Sequence, residues 1–235
     1  MSASHRYAML ISSLPYHGSL FGAKRAPLSR IRLSQRQHLL DEHDLACLRV
    51  VSNLLEWSRQ GMEQRDDDLV ARAKAVLPSL DNVFARDLIV WRLELRTTVA
   101  ALRRRHRGEA APSVRVRWGY GRWLAHIRSH WSEPHFRLER VYPWLPEAKT
   151  LLEAGDTLDL ERLLLNAVWE YLDLLADGHH FDFEAVLIYS LRWDLIARWT
   201  GYRGDEAAVR FEELVEEGLK DVVPHDLFNR SSAGT

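Results

Sequence analysis

The sequence predicts an all-α fold, a multi-helix bundle, from three observations. Apolar residues recur at helical spacing over long stretches, above all from Phe84 to Leu102 and from Leu160 to Leu175. Residue types that start and stop helices bound these stretches. Of the 235 residues, 46% are hydrophobic and 28% are charged, a balance typical of a chain that folds around a core.

The segment from Gly178 to Trp199 is predicted to be the most buried helix. Gly178 ends the preceding helix, and Asp182 is a suitable N-cap for this one. A helix that is apolar nearly all round is buried in a bundle, while Arg192 and Asp194 interrupt it too often for a membrane span. We therefore expect neighbouring helices to pack around it. Its apolar positions are Phe183, Val186, Leu187, Ile188, Tyr189, Leu191, Trp193, Leu195, Ile196 and Trp199.

Four helices are predicted in the N-terminal half from their caps and breakers. Ser29 is a suitable cap for the first, and the acids at 66–68 suit the positive end of the third helix dipole. Pro78 and Gly108 end the third and fourth helices. Earlier in the chain, the apolar run 7–11 is either a strand or a buried helical turn, and it is too short for a signal peptide. The predicted extents are about 29–40, 41–61, 66–77 and 81–108.

Residues 109–131 combine two patterns. Val and Arg alternate at the start of this segment, which predicts a short strand near 114–120. Apolar residues then recur at helical spacing, which predicts a helix after the strand. The residues with helical spacing are Trp123, Leu124, Ile127 and Trp131.

A loop-rich stretch at 133–146, which contains three prolines, is the best candidate for a domain boundary. It predicts an N-terminal helical region at 1–140, which contains the arginine-rich long helix. It also predicts a C-terminal helical hairpin bundle at 141–235. The alternative is one continuous domain.

Two helices are predicted between this stretch and the buried segment. Pro146 suits the first turn of a helix that ends at Gly155. Thr157 is then the predicted cap of a longer helix with a wide apolar stripe. This longer helix leads almost directly into the segment that begins at Gly178, so the two should form an antiparallel hairpin. A last helix is predicted from Asp205.

The formal net charge is −1, and this near-neutral total argues against a dedicated polyanion binder. The charges are unevenly distributed, because the middle third is rich in arginine and the last third carries acids from Glu206 to Asp221. The arginines at the end of the long helix are either a solvated helix end or a docking surface for an acidic partner. The candidate partner-binding residues are Arg96, Arg103, Arg104, Arg105 and Arg107.

The sequence lacks the motifs of several common enzyme classes. It contains no glycine-rich phosphate loop, no GxSxG and no CxxC. Cys47 is the only cysteine, so a disulfide within the chain is excluded, a reducing compartment fits, and a buried free thiol is predicted. We therefore predict a protein that is not an enzyme, with no catalytic residues, no cofactor and no metal.

A metal-dependent helical enzyme is one alternative. His179 and His180 precede Asp182 and Glu184, and these side chains are possible metal ligands. No HExxH spacing occurs, and a turn at the helix entry accounts for the same residues.

A nucleic-acid-binding protein is the second alternative. Arginines are interleaved with Trp118, Tyr120 and Trp123, and such a pattern can combine phosphate contacts with base stacking. The neutral total charge and the acidic last third oppose this interpretation.

Both ends of the chain resemble a bacterial family of unknown function. The N-terminal run Arg6-Tyr7-Ala8-Met9-Leu10-Ile11-Ser12-Ser13-Leu14-Pro15 is similar to that family's tyrosine-led opening, YxxLVASLP. The C-terminal part resembles the family's signature F-x-F/I-E-x-(V/L)-L, followed by spaced L, I-x-R-W and F. The matching positions here run from Phe181 to Leu187 and continue with Leu191, Ile196, Arg198, Trp199 and Phe211.

The resemblance implies a function. Genes of this family are typically found in V/A-type ATPase operons, where the gene for the socket protein of the central stalk would be expected. That socket is built from similar helical units, and it seats the central axle on the proteolipid ring. The implied role is a non-catalytic coupling component of the central stalk, whose partners are the axle subunits and the ring rather than nucleic acid. The implied location is cytoplasmic and peripheral at the inner membrane, through the complex.

Overall fold

A computed structural model of the protein describes residues 3–55, 66–116 and 118–201. In these ranges it consists of helices, turns and loops, with no β-strand, so the predicted all-α class is confirmed. Among the described helices, none is long and apolar enough to cross a membrane. The helices are α1 (Ala3–Ser13), α2 (Arg30–Gln37), α3 (Glu42–Leu55), α4 (Asp66–Val76), α5 (Val83–His106), α6 (Leu124–Ser129), α7 (Leu145–Ala154), α8 (Thr157–Ala176) and α9 (183–201).

Several predicted helix ends are confirmed. The Ser29 hydroxyl accepts a hydrogen bond from the backbone N–H three residues later, at 3.3 Å, and caps α2. The Asp182 carboxylate accepts the corresponding bond at 2.9 Å and caps α9. Pro146 lies in the first turn of α7, and Gly155 ends that helix with a φ of +73°, a left-handed conformation that favours glycine. The run 7–11, which the sequence left open, is helical.

The predicted cap of α8 is wrong by one residue. Asp156 is the N-cap, because its carboxylate accepts the backbone N–H of Asp159 at 3.1 Å, and Thr157 is the first residue of the helix. Both residue types are suitable caps. The carboxylate adds a favourable interaction with the positive end of the helix dipole, which explains why the aspartate occupies the position.

The predicted strand near 114–120 is also wrong. Residues 114–116 form a turn and bend, and 118–120 are irregular. Thr97 of α5 explains part of this result. Its hydroxyl accepts the Tyr120 N–H at 2.8 Å and donates to the Tyr120 carbonyl at 3.1 Å. A strand would need those backbone groups for a neighbouring strand, and here a helix side chain binds them instead.

Helices α5 and α9 lie at the centre of the core. Of the ten apolar positions predicted for α9, Tyr189 is half-buried and the other nine are buried. Helix α5 is buried on more than its predicted stripe, because α3, α6 and α7 all contact it. Its buried residues include the polar Glu94, Thr97 and Thr98. One cluster of buried residues contains side chains from both sides of residue 140.

Helices α8 and α9 are antiparallel, as predicted. Arg192 pairs with Asp173, and further along α9 the Arg198 Nε lies 3.2 Å from a carboxylate oxygen of Glu161, nearer the start of α8. Cys47 is buried and free, as predicted, and burial raises the pKa of its thiol to about 11.

Some predictions concern positions outside the described residues. They are the end of the second predicted helix near Gly61, the last helix from Asp205, the acids from Glu206 to Asp221, and Phe211 of the C-terminal signature.

Candidate functional site

The segment that follows α1 meets α9 in the fold. Tyr189 of α9 donates a hydrogen bond from its hydroxyl to the Pro15 carbonyl oxygen at 2.8 Å. The His17 ring stacks on the Tyr189 ring with centroids 3.9 Å apart. The indole Nε1 of Trp193 donates to the Leu28 carbonyl oxygen at 2.8 Å. The chain that follows α1 is therefore held against α9 by side-chain bonds as well as by packing.

His17 is neutral in this setting. Its Nε2 lies 3.1 Å from the Tyr189 carbonyl oxygen, and a carbonyl oxygen only accepts hydrogen bonds, so Nε2 carries the hydrogen. Burial lowers the pKa of His17 to about 4, and the positive charge of Arg192 adds to that effect. The ring is thus an uncharged packing element at neutral pH.

The five candidate arginines do not form one uniform surface. Arg103 and Arg107 are exposed, and Arg96 is half-buried on the same face of α5, because seven residues make two helical turns. Arg104 and Arg105 point to other faces of the helix. The exposed stripe of Arg103 and Arg107, at the C-terminal end of α5, is called the arginine end below.

Arg104, Arg105 and Arg107 have local partners near the end of α5. Arg107 lies 2.6 Å from a Glu109 carboxylate oxygen, and Arg104 lies 3.6 Å from the other oxygen. Arg105 donates to the Ser132 carbonyl oxygen at 3.2 Å, and so it ties the end of α5 to the chain after α6. These three arginines therefore hold the chain that follows α5 against the end of that helix. Exposed ion pairs of this kind are weak, so a partner carboxylate could compete for Arg107.

The proposed metal ligands lie at the entry to α9. The side chains that converge are His179, Asp182 and Glu184, whose ligand atoms lie within 4.8 Å of one another, while His180 is exposed and outside the group. Each has a protein partner. The Nδ1 of His179 lies 2.7 Å from one carboxylate oxygen of Asp182, and the other oxygen of that carboxylate caps α9. The side-chain amide of Asn82 donates a hydrogen bond to Glu184 at 3.0 Å. These bonds account for the cluster as a helix-entry turn.

The nucleic-acid interpretation depended on interleaved aromatic residues. Trp118 is 3% exposed and packs edge-to-face on Trp131, with ring centroids 6.4 Å apart. A buried ring cannot stack on a base. Tyr120 and Trp123 are half-buried, so the regular pattern of exposed rings is lost. Arg117 lies outside the described residues.

A cleft of about 760 Å³ lies between α5, α8 and the loop that precedes α6. Beside it, the buried Glu94 holds that loop. One Glu94 oxygen accepts the Arg122 backbone N–H at 2.9 Å, and the other lies 3.4 Å from the Arg122 Nε. Gly121 has a φ of +107°, and a Cβ there would fall against the Glu94 side chain. The loop can therefore approach α5 only because this residue is glycine.

Aromatic rings form a second wall of this cleft. The Trp91 and Tyr171 rings stack with centroids 3.6 Å apart and an angle of 9° between their planes. Burial raises the pKa of Tyr171, and nearby Asp87 adds to that effect. Outside the lining of the cleft, burial also raises the pKa of Tyr142 to about 12, with a further contribution from Glu94.

The sequence prediction missed this cleft. A usable signal was present, because Glu94 stands between Leu93 and Leu95 in a long helix, and an unpaired charge among apolar residues is costly. Gly119 and Gly121 were the second signal, since closely spaced glycines often mark a close approach of the backbone. The pairing of Glu94 with Arg122, 28 positions apart, could be seen only in the tertiary structure.

Comparisons with known proteins give no relative. No protein-family model, no curated protein and no solved structure matches this chain. The family resemblance therefore depends on the two terminal motifs alone.

Proposed function

We propose that this protein is a non-catalytic, socket-like coupling component of a bacterial V/A-type rotary ATPase. In this role it links the rotor axle to the proteolipid ring within the central stalk. It is held at the cytoplasmic face of the inner membrane by the axle and the ring rather than by a membrane span of its own.

The contact between Tyr189 and the Pro15 segment is the observation that carries the proposal. The two motifs lie near opposite ends of the described chain, and a hydrogen bond joins Pro15, the last residue of the first, to Tyr189, which lies between matched positions of the second. Two motifs that form one structural unit support a common origin better than two unconnected matches would. The inference to the ATPase itself comes from the resemblance.

The architecture suits a part that transmits force. Side chains from α1 and α3 through α9 contribute to one buried cluster, so a load applied to one helix is shared by the others. Such a role requires stiff packing and a wide contact surface, not proton chemistry. The arginine end offers a positive contact for an acidic axle or ring surface, which would orient the protein more than it would tighten binding.

Charge reversal tests the proposal. The full-length protein, tagged and produced in its native host, is expected to copurify with axle and ring subunits of the ATPase. Arg103→Glu with Arg107→Glu should abolish that copurification and leave far-UV circular dichroism unchanged. Arg49→Glu with Arg140→Glu is the matched control, since it reverses two other exposed arginines with the same change in net charge.

The outcomes are distinct. Loss of the ATPase subunits with the first pair and retention with the second support the role and the arginine end. Retention with both pairs removes the arginine end from the interface. If the unmodified protein brings down none of the ATPase subunits, the coupling role is wrong.

A further inference from the structure

We propose that the cleft beside Glu94 and Arg122 binds a small zwitterion, an α-amino acid with an aromatic side chain. This inference is separate from the coupling role. Three features of the cleft carry it: a guanidinium held in place for a carboxylate, an exposed acid for an ammonium group, and an aromatic wall for the side chain.

The Nε side of the Arg122 guanidinium is held by Glu94. Its Nε and its backbone N–H both contact the buried Glu94 carboxylate, and its Cζ lies 5.1 Å from the centroid of the Trp123 ring. The Arg122 side chain is nevertheless 71% exposed, and in the described part of the chain its two Nη nitrogens have no hydrogen-bond partner. A pair of parallel N–H donors suits a carboxylate, and prior fixation lowers the entropy lost on binding.

Asp87 supplies the opposite charge. It is exposed and lies seven residues before Glu94, so the two acids share a face of α5. Asp87, Glu94 and Arg122 line the same cleft as Tyr171. Glu94 is already engaged by Arg122, so Asp87 is the acid left to meet an ammonium group.

The total charge of the cleft favours a zwitterion over a simple ion. Lys74 and Arg122 balance Asp87 and Glu94, so the four charged groups that line the cleft sum to zero. A simple anion would meet repulsion from Asp87, and a simple cation would meet repulsion from Lys74 and Arg122. A zwitterion can place its carboxylate at Arg122 and its ammonium group at Asp87.

The aromatic wall selects the side chain. Trp91 and Tyr171 are both half-buried, so part of each ring borders the cleft, and Leu124 adds an apolar contact. Aromatic rings pack favourably edge-to-face or offset against such a wall. The volume of about 760 Å³ lies in the range of small-molecule sites and exceeds what one amino acid requires.

Calorimetric titration of the full-length protein with L-phenylalanine at pH 7 tests the inference. We expect a Kd below about 1 mM, a value reachable by a ligand of this size. The comparison ligands are 3-phenylpropanoate, which lacks the ammonium, and 2-phenylethylamine, which lacks the carboxylate. Each should bind at least tenfold more weakly. No binding of phenylalanine, or equal binding of all three compounds, overturns the proposal.

Two variants locate the site. Asp87→Asn should weaken phenylalanine binding about tenfold and, because it removes a repelling carboxylate, should strengthen 3-phenylpropanoate binding. Asp159→Asn on the exposed surface of α8 should alter neither. Arg122→Gln alone would leave the Glu94 carboxylate buried without its partner, so it is combined with Glu94→Gln, which keeps an amide pair. The double variant should lose binding of both phenylalanine and 3-phenylpropanoate. Unchanged phenylalanine affinity in Asp87→Asn and in the double variant refutes this site.

Discussion

Tyr189 and Pro15 are joined by a hydrogen bond of 2.8 Å although 174 positions separate them in the chain. The phenol donates to a carbonyl oxygen that follows α1, and His17 covers the same phenol ring. Because so much chain lies between the two residues, closing this contact costs chain entropy that the rest of the fold must offset. Loss of this hydrogen bond therefore tests how much the docking of the segment after α1 on α9 contributes to stability.

Replacing Tyr189 with Phe should destabilise the protein by about 1 kcal/mol, because the ring is kept while the Pro15 oxygen loses its donor. Urea unfolding followed by circular dichroism measures the change. Tyr16→Phe is the control, since Tyr16 is 91% exposed and should tolerate the loss of its hydroxyl. Equal stability of the two variants would contradict the structural role of the bond.

The stability of the protein should fall as the pH is lowered from about 6.5 towards 4, in part because of His17. An unfolded histidine has a pKa of about 6.5, and folding lowers the pKa of His17 to about 4, chiefly by burial. Between these values the unfolded chain binds a proton that the folded chain does not. The stabilisation is complete above the higher pKa, and from pH 7 to pH 5 its loss amounts to about 2 kcal/mol.

The variant His17→Gln isolates this contribution. Glutamine can still donate to the Tyr189 carbonyl oxygen, but it does not titrate, so the free energy of unfolding should depend less steeply on pH. Urea unfolding of both proteins at pH 7 and pH 5 gives the comparison, and the other histidines cancel in the difference. Parallel curves for the two proteins would show that folding does not perturb this histidine.

Gly121→Ala should cost about 3 kcal/mol, as the sum of an unfavourable positive φ and a clash with Glu94. Gly155→Ala is the matched control, because that glycine also has a positive φ but an added Cβ would have no neighbour within 4 Å. The control should lose only about 1 kcal/mol. Thermal or urea unfolding measures both variants, and similar losses would mean that the loop does not press on Glu94.

The purified protein should contain no stoichiometric metal, and EDTA should leave its Tm unchanged. The reason is that the carboxylates of Asp182 and Glu184 already accept hydrogen bonds from the backbone of α9 and from Asn82. Elemental analysis by mass spectrometry, together with thermal unfolding, provides the check. One equivalent of zinc whose removal lowers the Tm would instead favour the metal-dependent enzyme.

Local chemistry made most helix boundaries predictable. Ser29, Asp182 and Gly155 act where their residue types are usually found, because capping depends on a few neighbouring backbone groups. The choice between Asp156 and Thr157 was harder, since two suitable caps stand side by side and only one can occupy the position. The burial of α9 was predictable because its apolar pattern requires neighbours on nearly every side.

Non-local contacts explain what could not be predicted. The alternation around Val114 resembles a strand, but a strand needs a partner, and the Thr97 side chain takes up the Tyr120 backbone groups instead. The cleft depends on Glu94 meeting Arg122, a pairing that no spacing within one helix reveals. The five candidate arginines were predicted as a group, although the helical period directs them to different faces of α5, and their spacing in the sequence was enough to show this.

Helix α5 has 24 residues, which corresponds to a length of roughly 36 Å at 1.5 Å per residue. At its first turn, the capping residue Asn82 also donates to Glu184 at the beginning of α9. A push on Arg103 or Arg107 would therefore travel along a continuous rod and reach the opposite side of the molecule as a displacement of Asn82. The helix would thereby couple the arginine end to the start of α9, the helix that carries Tyr189.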